Sequence, residues 1–323
     1  MEKDIMFSGM QPTGRLHLGN LEGALKNWVN LQNDYEMYLC IVDWHSLTSD
    51  YNNTKDLKAR IMDVAFDYLA SGLDPEKCSI FIQSQVKEHA ELHLLFSMLV
   101  PVARLARVPS YKEKRKELGL DSYGFLGYPL LQAADILIYK AKYVPVGQDQ
   151  LPHIELTREV ARKFNSLYGE VFPEPDAKLT KFSIIPGIDG RKMSKSYNNE
   201  ITIAESPQET SQKIMKMFTD PQKIYKGDPG HPDKCPVYLL HQVYTPDYKR
   251  LYKTCHSGEL GCVECKKILA ENLNKALEGI RAKRKKLEQN PEGVERILEE
   301  GAKKARAKAQ DTMEDVRKAM GMM

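Results

Sequence analysis

The stretch Ile5-Met6-Phe7-Ser8-Gly9-Met10-Gln11-Pro12-Thr13-Gly14-Arg15-Leu16-His17-Leu18-Gly19-Asn20 passes from an apolar run through a Gly/Pro loop into a helix start. Residues 4–8 read as a short buried strand, Gly9 to Gly14 as a loop, and the pattern from about Leu18 to Leu31 as a helix. His17 and Asn20 stand three apart, so both project from one side of the first helical turn. A helix N-terminus offers free amides and partial positive charge, which suits phosphate oxygens. Neutral His and Asn add donors without fixed charge. Gly19 lets a nucleotide lie against the backbone, and Gln11, Pro12 and Thr13 can close over phosphates from the loop. Taken alone, the segment is also an ordinary strand–helix connection with an incidental histidine.

Outward from this unit the strand–helix alternation repeats. Met37–Val42 and Ser79–Ile82 read as buried strands, with Lys55–Gly72 and Ala90–Leu99 as helices between and after them. Tyr128–Tyr139 reads as an apolar helix, Tyr143–Val146 as a strand and Leu151–Asn165 as another helix. The basic stretch 104–122 looks mobile. This order predicts an α/β fold with a Rossmann-like parallel sheet covered by helices. From about Ser206 onward strand-like runs disappear. The expected division is therefore a catalytic domain over 1–200 and an all-helical domain over 201–323, the last helix packing back on the first domain.

The second informative segment is Lys192-Met193-Ser194-Lys195-Ser196, preceded by Gly187 and Gly190. Phosphoryl chemistry asks little covalent help of a protein and much charge neutralisation as pyrophosphate departs. A flexible loop with two ammonium groups can supply that charge and then release product. By itself it reads as a solvated Lys/Ser loop; its company with the first segment points to nucleotide chemistry.

Lysine and arginine number 47 against 44 acidic residues, a net charge of only +3, so whole-chain charge does not mark a polyanion binder. The basic residues do cluster, at Arg104, Arg107, Lys112, Lys114, Arg115 and Lys116, at Arg281 and Lys283–Lys286, and at Lys303, Lys304, Arg306 and Lys308. Each group taken singly reads as a solvated helix face. No apolar run approaches the ~20 residues of a membrane span. Met1–Phe7 is too short and charged for a signal peptide, and a cytoplasmic protein without membrane contact is expected.

Cys40 and Cys78 flank apolar strands and read as core. Cys235, Cys255, Cys262 and Cys265 are different: a Cys-x-x-Cys pair and two further cysteines supply four thiolates. That set fits tetrahedral zinc or a [4Fe–4S] cluster, with plain reduced thiols as the alternative. Either metal would be structural and remote from the nucleotide chemistry.

The two ATP-type segments in this order resemble the signatures of class I aminoacyl-tRNA synthetases. Over essentially the whole chain the resemblance is to the bacterial-type tryptophanyl-tRNA synthetases. It is carried by Phe7–Gly14, Val42-Asp43-Trp44-His45, Tyr128–Leu137, Val144–Gln150 with His153–Arg158, and Lys192–Ser196. The tyrosyl enzymes share the fold and both signatures. The resemblance implies ATP-dependent activation of tryptophan with Mg2+, transfer to tRNA(Trp), a homodimer, and an anticodon-binding role for the helical domain. It implies that His17, Asn20, Lys192 and Lys195 are catalytic. ATP would be bound by Gln11, Pro12, Thr13, Gly19, Asn20, Gly147, Gln148, Asp149, Ile185 and Lys192 through Ser196, with Asp149 on the ribose, Ile185 beside the adenine and Lys112 near pyrophosphate. Asp135 would accept the indole N–H. Phe7, His45, Val144 and Val146 would line the tryptophan pocket, and Tyr128 and Gln150 would hold the ammonium. Gln132 stands where several family members have methionine. A subset of the family carries a [4Fe–4S] cluster on a similar cysteine pattern, and zinc stays open. The readings that compete are tyrosyl-type specificity and an inactive RNA-binding homologue.

Overall fold

The computed structural model describes residues 3–179, 184–225 and 227–322. Strands β1 (Ile5–Met10), β2 (Glu36–Ile41), β3 (Cys78–Ile82), β4 (Tyr143–Val146) and β5 (Asp176–Leu179) form a sheet in the order β3-β2-β1-β4-β5. Every pairing is parallel, in registers such as Phe7↔Tyr38, Leu39↔Ile80 and Val144↔Ala177. The α/β expectation is met. β2 is buried along almost its whole length, as a parallel strand covered on both faces must be. β5 escapes the sequence reading because Asp-Ala-Lys-Leu is a half-exposed edge with no apolar run. The stretch expected to look mobile instead holds a helix, Pro109–Leu118, opened by proline and closed by Gly119 in the left-handed region (φ 66°).

The chain does not part at residue 200. Its contacts divide it into one unit of Met1–Gly14, Asn27–Thr180 and Gln289–Met323, and a second of Arg15–Lys26 and Lys181–Glu288. Main-chain bonds explain the second grouping: Leu18 N–H donates to Ile201 O and Ile203 N–H to Leu16 O, each at 3.0 Å. A composition shift along the sequence carries no trace of such pairing.

In the first unit the order of strands reverses direction at β1, with β2 on one side and β4 on the other. The crevice beyond the carboxyl ends of β1 and β4 is where open α/β sheets bind ligands. Gln11–Thr13 follow β1 there, and Gly147–Gln150 follow β4. The last helix, Pro291–Ala319, packs on β3 as expected. Its buried stripe is small, with Gly301, Ala305 and Ala309 at four-residue spacing. A methyl at Gly301 would collide with the carbonyl of Ile80, so glycine sets the close approach that covers the β3 edge.

In the second unit, helix Cys262–Glu288 presents buried Leu269, Leu273 and Leu277 toward the helices Pro207–Lys216 and Pro236–Tyr244. Several charges that look solvated in the sequence are structural. Arg284 is buried and bonds Glu288 at 2.8 Å, and Arg281 bonds Asn274 and Thr210, both at 2.7 Å.

Candidate active site

Gln11–Gly14 belong to the first unit, while the helix start at His17–Asn20 and the lysine segment belong to the second unit. Its first helical segment begins at Leu18 with His17 as N-cap, and the main-chain N–H of His17 donates to Asn20 Oδ1 at 3.0 Å. Asn20 therefore fixes the helix entry. A Cβ at Gly19 would sit 2.9 Å from the His17 ring, so glycine also makes room for the imidazole to lie back over the helix start. The helix passes through a π-turn, Leu21–Leu25, before resuming at Lys26.

The His17 imidazole is pushed down to about 4 by burial, reinforced by the positive fields of Lys195 and Lys192. Those fields bring the two halves of the motif together: a neutral histidine at a helix N-terminus beside two ammonium groups. The arrangement matches what a triphosphate needs.

The lysine segment is better ordered than a free loop. Pro186 and Lys192 form an antiparallel bridge, and Met193 N–H donates to Ile185 O at 2.8 Å with the Met193 side chain buried. Asn199 organises the rest. Its Oδ1 accepts from Ser194 N–H at 2.8 Å, and its Nδ2 donates to Asp189 at 2.7 Å and to Lys192 O at 3.2 Å. Gly187 leaves the space the Asn199 amide occupies, and Arg191 lies 4.2 Å over the Tyr197 ring. Buried Ile185 anchors the loop's other end, while Ser196 is exposed. Asn199 carried no signal in the sequence, where it is one of two adjacent asparagines.

The first unit holds a buried polar cluster around Asp135. Tyr128, Gln132 and Asp135 share one side of helix Tyr123–Leu137. Asp135 is 1% exposed, yet its carboxylate is fully partnered. His45 Nε2 lies 2.8 Å from Oδ2, Gln83 Nε2 donates to both oxygens at 2.8 and 2.9 Å, and His89 Nδ1 lies 2.7 Å from Oδ1. The lone buried acceptor that the sequence suggests is in fact the hub of three donors from three other elements. Burial alone would raise this carboxyl; the fields and hydrogen bonds of His89 and His45 overcome that and hold it at about 2, ionised at neutral pH.

Gln83 and His89 were missed in the sequence because nothing local marks them. Asp43 Oδ1 accepts the N–H of Ser84 at 3.0 Å and so ties the end of β2 to the turn that aims Gln83. His89 continues inward, its Nε2 2.7 Å from Tyr139 Oη. The Tyr139 ring stacks on Tyr38 at 4.4 Å and on Phe7 at 5.5 Å, so Phe7 packs against the ring that His89 bonds. Val144 is buried beside this core and Val146 half-buried.

Beyond β4, Gln148–Gln150 form one 3₁₀ turn. A Cβ at Gly147 would meet Asp149 Oδ1 at 2.7 Å, so glycine lets that carboxylate fold back. Asp149 Oδ2 also accepts from Gln150 Nε2 at 3.1 Å. Of the basic helix, Lys112 and Lys114 are both exposed, and Lys114 Nζ lies 5.7 Å from the centre of the Tyr128 ring.

His153 is pushed down to about 4, by burial first and then by Lys114 and His45. His17 and His153 thus both stay neutral folded where they would be protonated unfolded. Between pH 6.5 and 4 the unfolded chain binds the extra protons, so stability falls as pH drops through that window and the loss is complete near pH 4. We expect a loss on the order of 2 kcal/mol per histidine, read as a lower urea midpoint at pH 4.5 than at pH 7 and a smaller difference in His17→Gln.

The four C-terminal cysteines lie in the second unit. Cys235 and Cys265 are buried, Cys255 and Cys262 half-buried. Burial first, then the neighbouring Cys235, Cys255 and Cys262, push the Cys265 thiol up to about 12. Gly230 donates its N–H to Cys255 O at 2.9 Å, and a Cβ there would touch Cys255 Sγ. Among the described residues no three such side chains converge to metal-ligand geometry. Nor is any described helix long and apolar enough to cross a membrane.

A family model described as tRNA synthetases class I (W and Y) matches residues 2–278. The chain is 51% identical over 325 residues to the tryptophan–tRNA ligase of Thermotoga maritima, covering 98% of this chain and 99% of that protein. It is 45% identical over 392 residues to the Aquifex aeolicus tryptophan–tRNA ligase, covering 98% and 99%. Among solved structures it resembles the tryptophanyl-tRNA synthetase of Campylobacter jejuni complexed with ADP and tryptophan. The TM-score there is 0.89, at 35% identity over 98% of this chain and 99% of that one.

Proposed function

The chain belongs to the class I tRNA synthetases of the tryptophan and tyrosine group and is a tryptophan–tRNA ligase; from that premise we propose how its residues divide the work. The observation that carries the proposal is the placement of neutral His17 at a helix start within the field of Lys192 and Lys195. The ATP phosphates lie against that helix start, with His17 and Asn20 donating and Gly19 allowing close approach. A carboxylate oxygen of tryptophan attacks the α-phosphorus while the bond to the bridging oxygen of pyrophosphate breaks. Lys192 and Lys195 then neutralise the departing charge, and catalysis is alignment plus charge stabilisation with no protein nucleophile. The tRNA 3′-terminal ribose takes the acyl group in the second step. Gln11–Thr13, Gly147–Asp149 and Ile185 hold the rest of ATP, which enters with Mg2+.

Asp135 receives the indole N–H. Its oxygens are already engaged, so a donor must yield, and His45 is the least buried of the three, at 5% exposure against 0% for Gln83 and His89. The indole N–H displaces His45 from Oδ2. Tyr128 and Gln150 hold the ammonium, with Phe7, Gln132, Val144 and Val146 around the side chain. The helical second unit binds the tRNA anticodon, and exposed Leu94, Met98 and Val102 of the first unit supply apolar surface for a homodimer in the cytoplasm.

Cys235, Cys255, Cys262 and Cys265 hold a structural [4Fe–4S] cluster. The support is the chemistry of the donors, four thiols in one helical unit, rather than their present geometry. Burial pushes the Cys265 thiol up to about 12 and raises that of Cys255, and a bound metal would supply the charge that favours the thiolates. Bound there, the group would cross-link the helical unit and take no part in adenylation. Cys262→Ser is expected to abolish the metal and lower the thermal midpoint while tryptophan activation survives. Iron, sulfide and zinc analysis of protein purified without oxygen checks this, and zinc in place of iron and sulfide would reverse the choice of metal.

ATP–pyrophosphate exchange with tryptophan, tyrosine and phenylalanine in parallel tests the whole reading. Exchange with tryptophan alone supports it. Exchange with tyrosine overturns the pocket, and silence with all three favours an inactive RNA-binding homologue.

A further inference from the structure

We propose that Ser110 and His153 form a hydrogen-bond relay that turns Tyr128 into a pure acceptor for the α-ammonium of the amino-acid substrate. The inference rests on the reading that Tyr128 holds the ammonium, and it assigns two positioning residues to that contact. Three elements meet at the relay. Ser110 lies in the first turn of helix Pro109–Leu118, Tyr128 in helix Tyr123–Leu137 and His153 in helix Leu151–Tyr168. Ser110 Oγ lies 2.7 Å from Tyr128 Oη and 2.8 Å from His153 Nε2. Tyr128 is 8% exposed and His153 2%.

The chemistry fixes the sense of the chain. An ammonium brings three donors and no acceptor, so the phenol must offer a lone pair and aim its own proton elsewhere. Ser110 Oγ accepts that proton. The serine proton then needs an acceptor of its own, and a neutral imidazole protonated at Nδ1 presents one at Nε2. Burial and the nearby Lys114 keep His153 neutral, as this requires. His153 Nδ1 is buried without a partner among the described residues, so no competing bond pins the opposite tautomer. In the reverse sense, His153 would donate to Ser110 and Ser110 to Tyr128, and the phenolic proton would point toward the incoming cation. Among the described residues, Ser110 is the side chain bonded to Tyr128 Oη, so its loss frees that proton.

The test compares tryptophan with indole-3-propionate, which lacks the ammonium, as a competitive inhibitor in ATP–pyrophosphate exchange. Ser110→Ala is expected to raise the tryptophan KM about tenfold with kcat within about twofold, the loss typical of one hydrogen bond to a charged group. The inhibitor's Ki should not move, and Ser110→Thr, which keeps the hydroxyl, should restore KM. His153→Phe, which fills the same space without an acceptor, should repeat the split. Equal shifts for tryptophan and inhibitor, or none for either, would overturn the relay. Tyr128→Phe separates this from the underlying reading. If it weakens tryptophan and inhibitor alike, the ammonium assignment falls and the relay with it. If it weakens tryptophan selectively while Ser110→Ala does not, only the relay falls.

Discussion

Asp135→Ala is expected to raise the tryptophan KM about 100-fold and to erase most discrimination against phenylalanine. A site built around a buried acceptor penalises any side chain lacking the matching donor, because the acceptor is left unpaired. Without the carboxylate, tryptophan loses its charge-assisted contact and phenylalanine loses its penalty. The structure adds a second cost that the sequence does not foresee. His45, Gln83 and His89 all point at Asp135, and alanine would strand three buried donors. Breaking such a network by removing one partner typically costs about 3–5 kcal/mol of stability. The substrate effect must therefore be read on folded enzyme. Equilibrium binding of tryptophan and of its benzothienyl analogue, with sulfur in place of the indole N–H, makes the distinction. Wild-type enzyme should favour tryptophan strongly, and Asp135→Ala should bind the two alike. An unchanged affinity for tryptophan would remove Asp135 from the pocket.

Lys195→Ala is expected to lower the rate of adenylate formation by about 10²–10³ while tryptophan affinity stays within about twofold. The ammonium acts on charge that develops only as pyrophosphate leaves, so its contact is stronger in the transition state than in the ground state. Single-turnover adenylate formation set against equilibrium binding separates the two. Equal losses in rate and in tryptophan binding would defeat the assignment. Asn199, bonded to Ser194 N–H and Lys192 O, and the buried Met193 side chain hold the loop on either side of Lys195, so it should survive the change.

Legibility in the sequence followed the range of each interaction. β1 through β4 and their helices were readable because apolar runs and Gly/Pro punctuation are local, whereas β5, a polar edge strand, had no such pattern. The candidate phosphate site could be proposed from the sequence because helix starts and lysine loops carry their chemistry on neighbouring residues. The basic run at 281–286 misled in part: a charge on a helix looks solvated until its partner is seen, and Arg281 and Arg284 have theirs. The aspartate hub was half-legible. Asp135 stood out as a carboxylate in an apolar helix, but Gln83, His89, Ser110 and Asn199 are ordinary polar residues until folding brings them beside their partners.

The sequence alone determined the α/β class, the two phosphate segments, the family and the candidate aspartate, since each is written in residues a few positions apart. Only the tertiary structure decided that residues 15–26 and 181–288 form one unit, that His17 stays neutral beside two lysines, and that Asp135 is shared among three donors. The reason is physical. Protonation and hydrogen-bond partnership in a buried site depend on burial and on atoms within a few ångströms, and those atoms come from chain segments that the sequence leaves far apart.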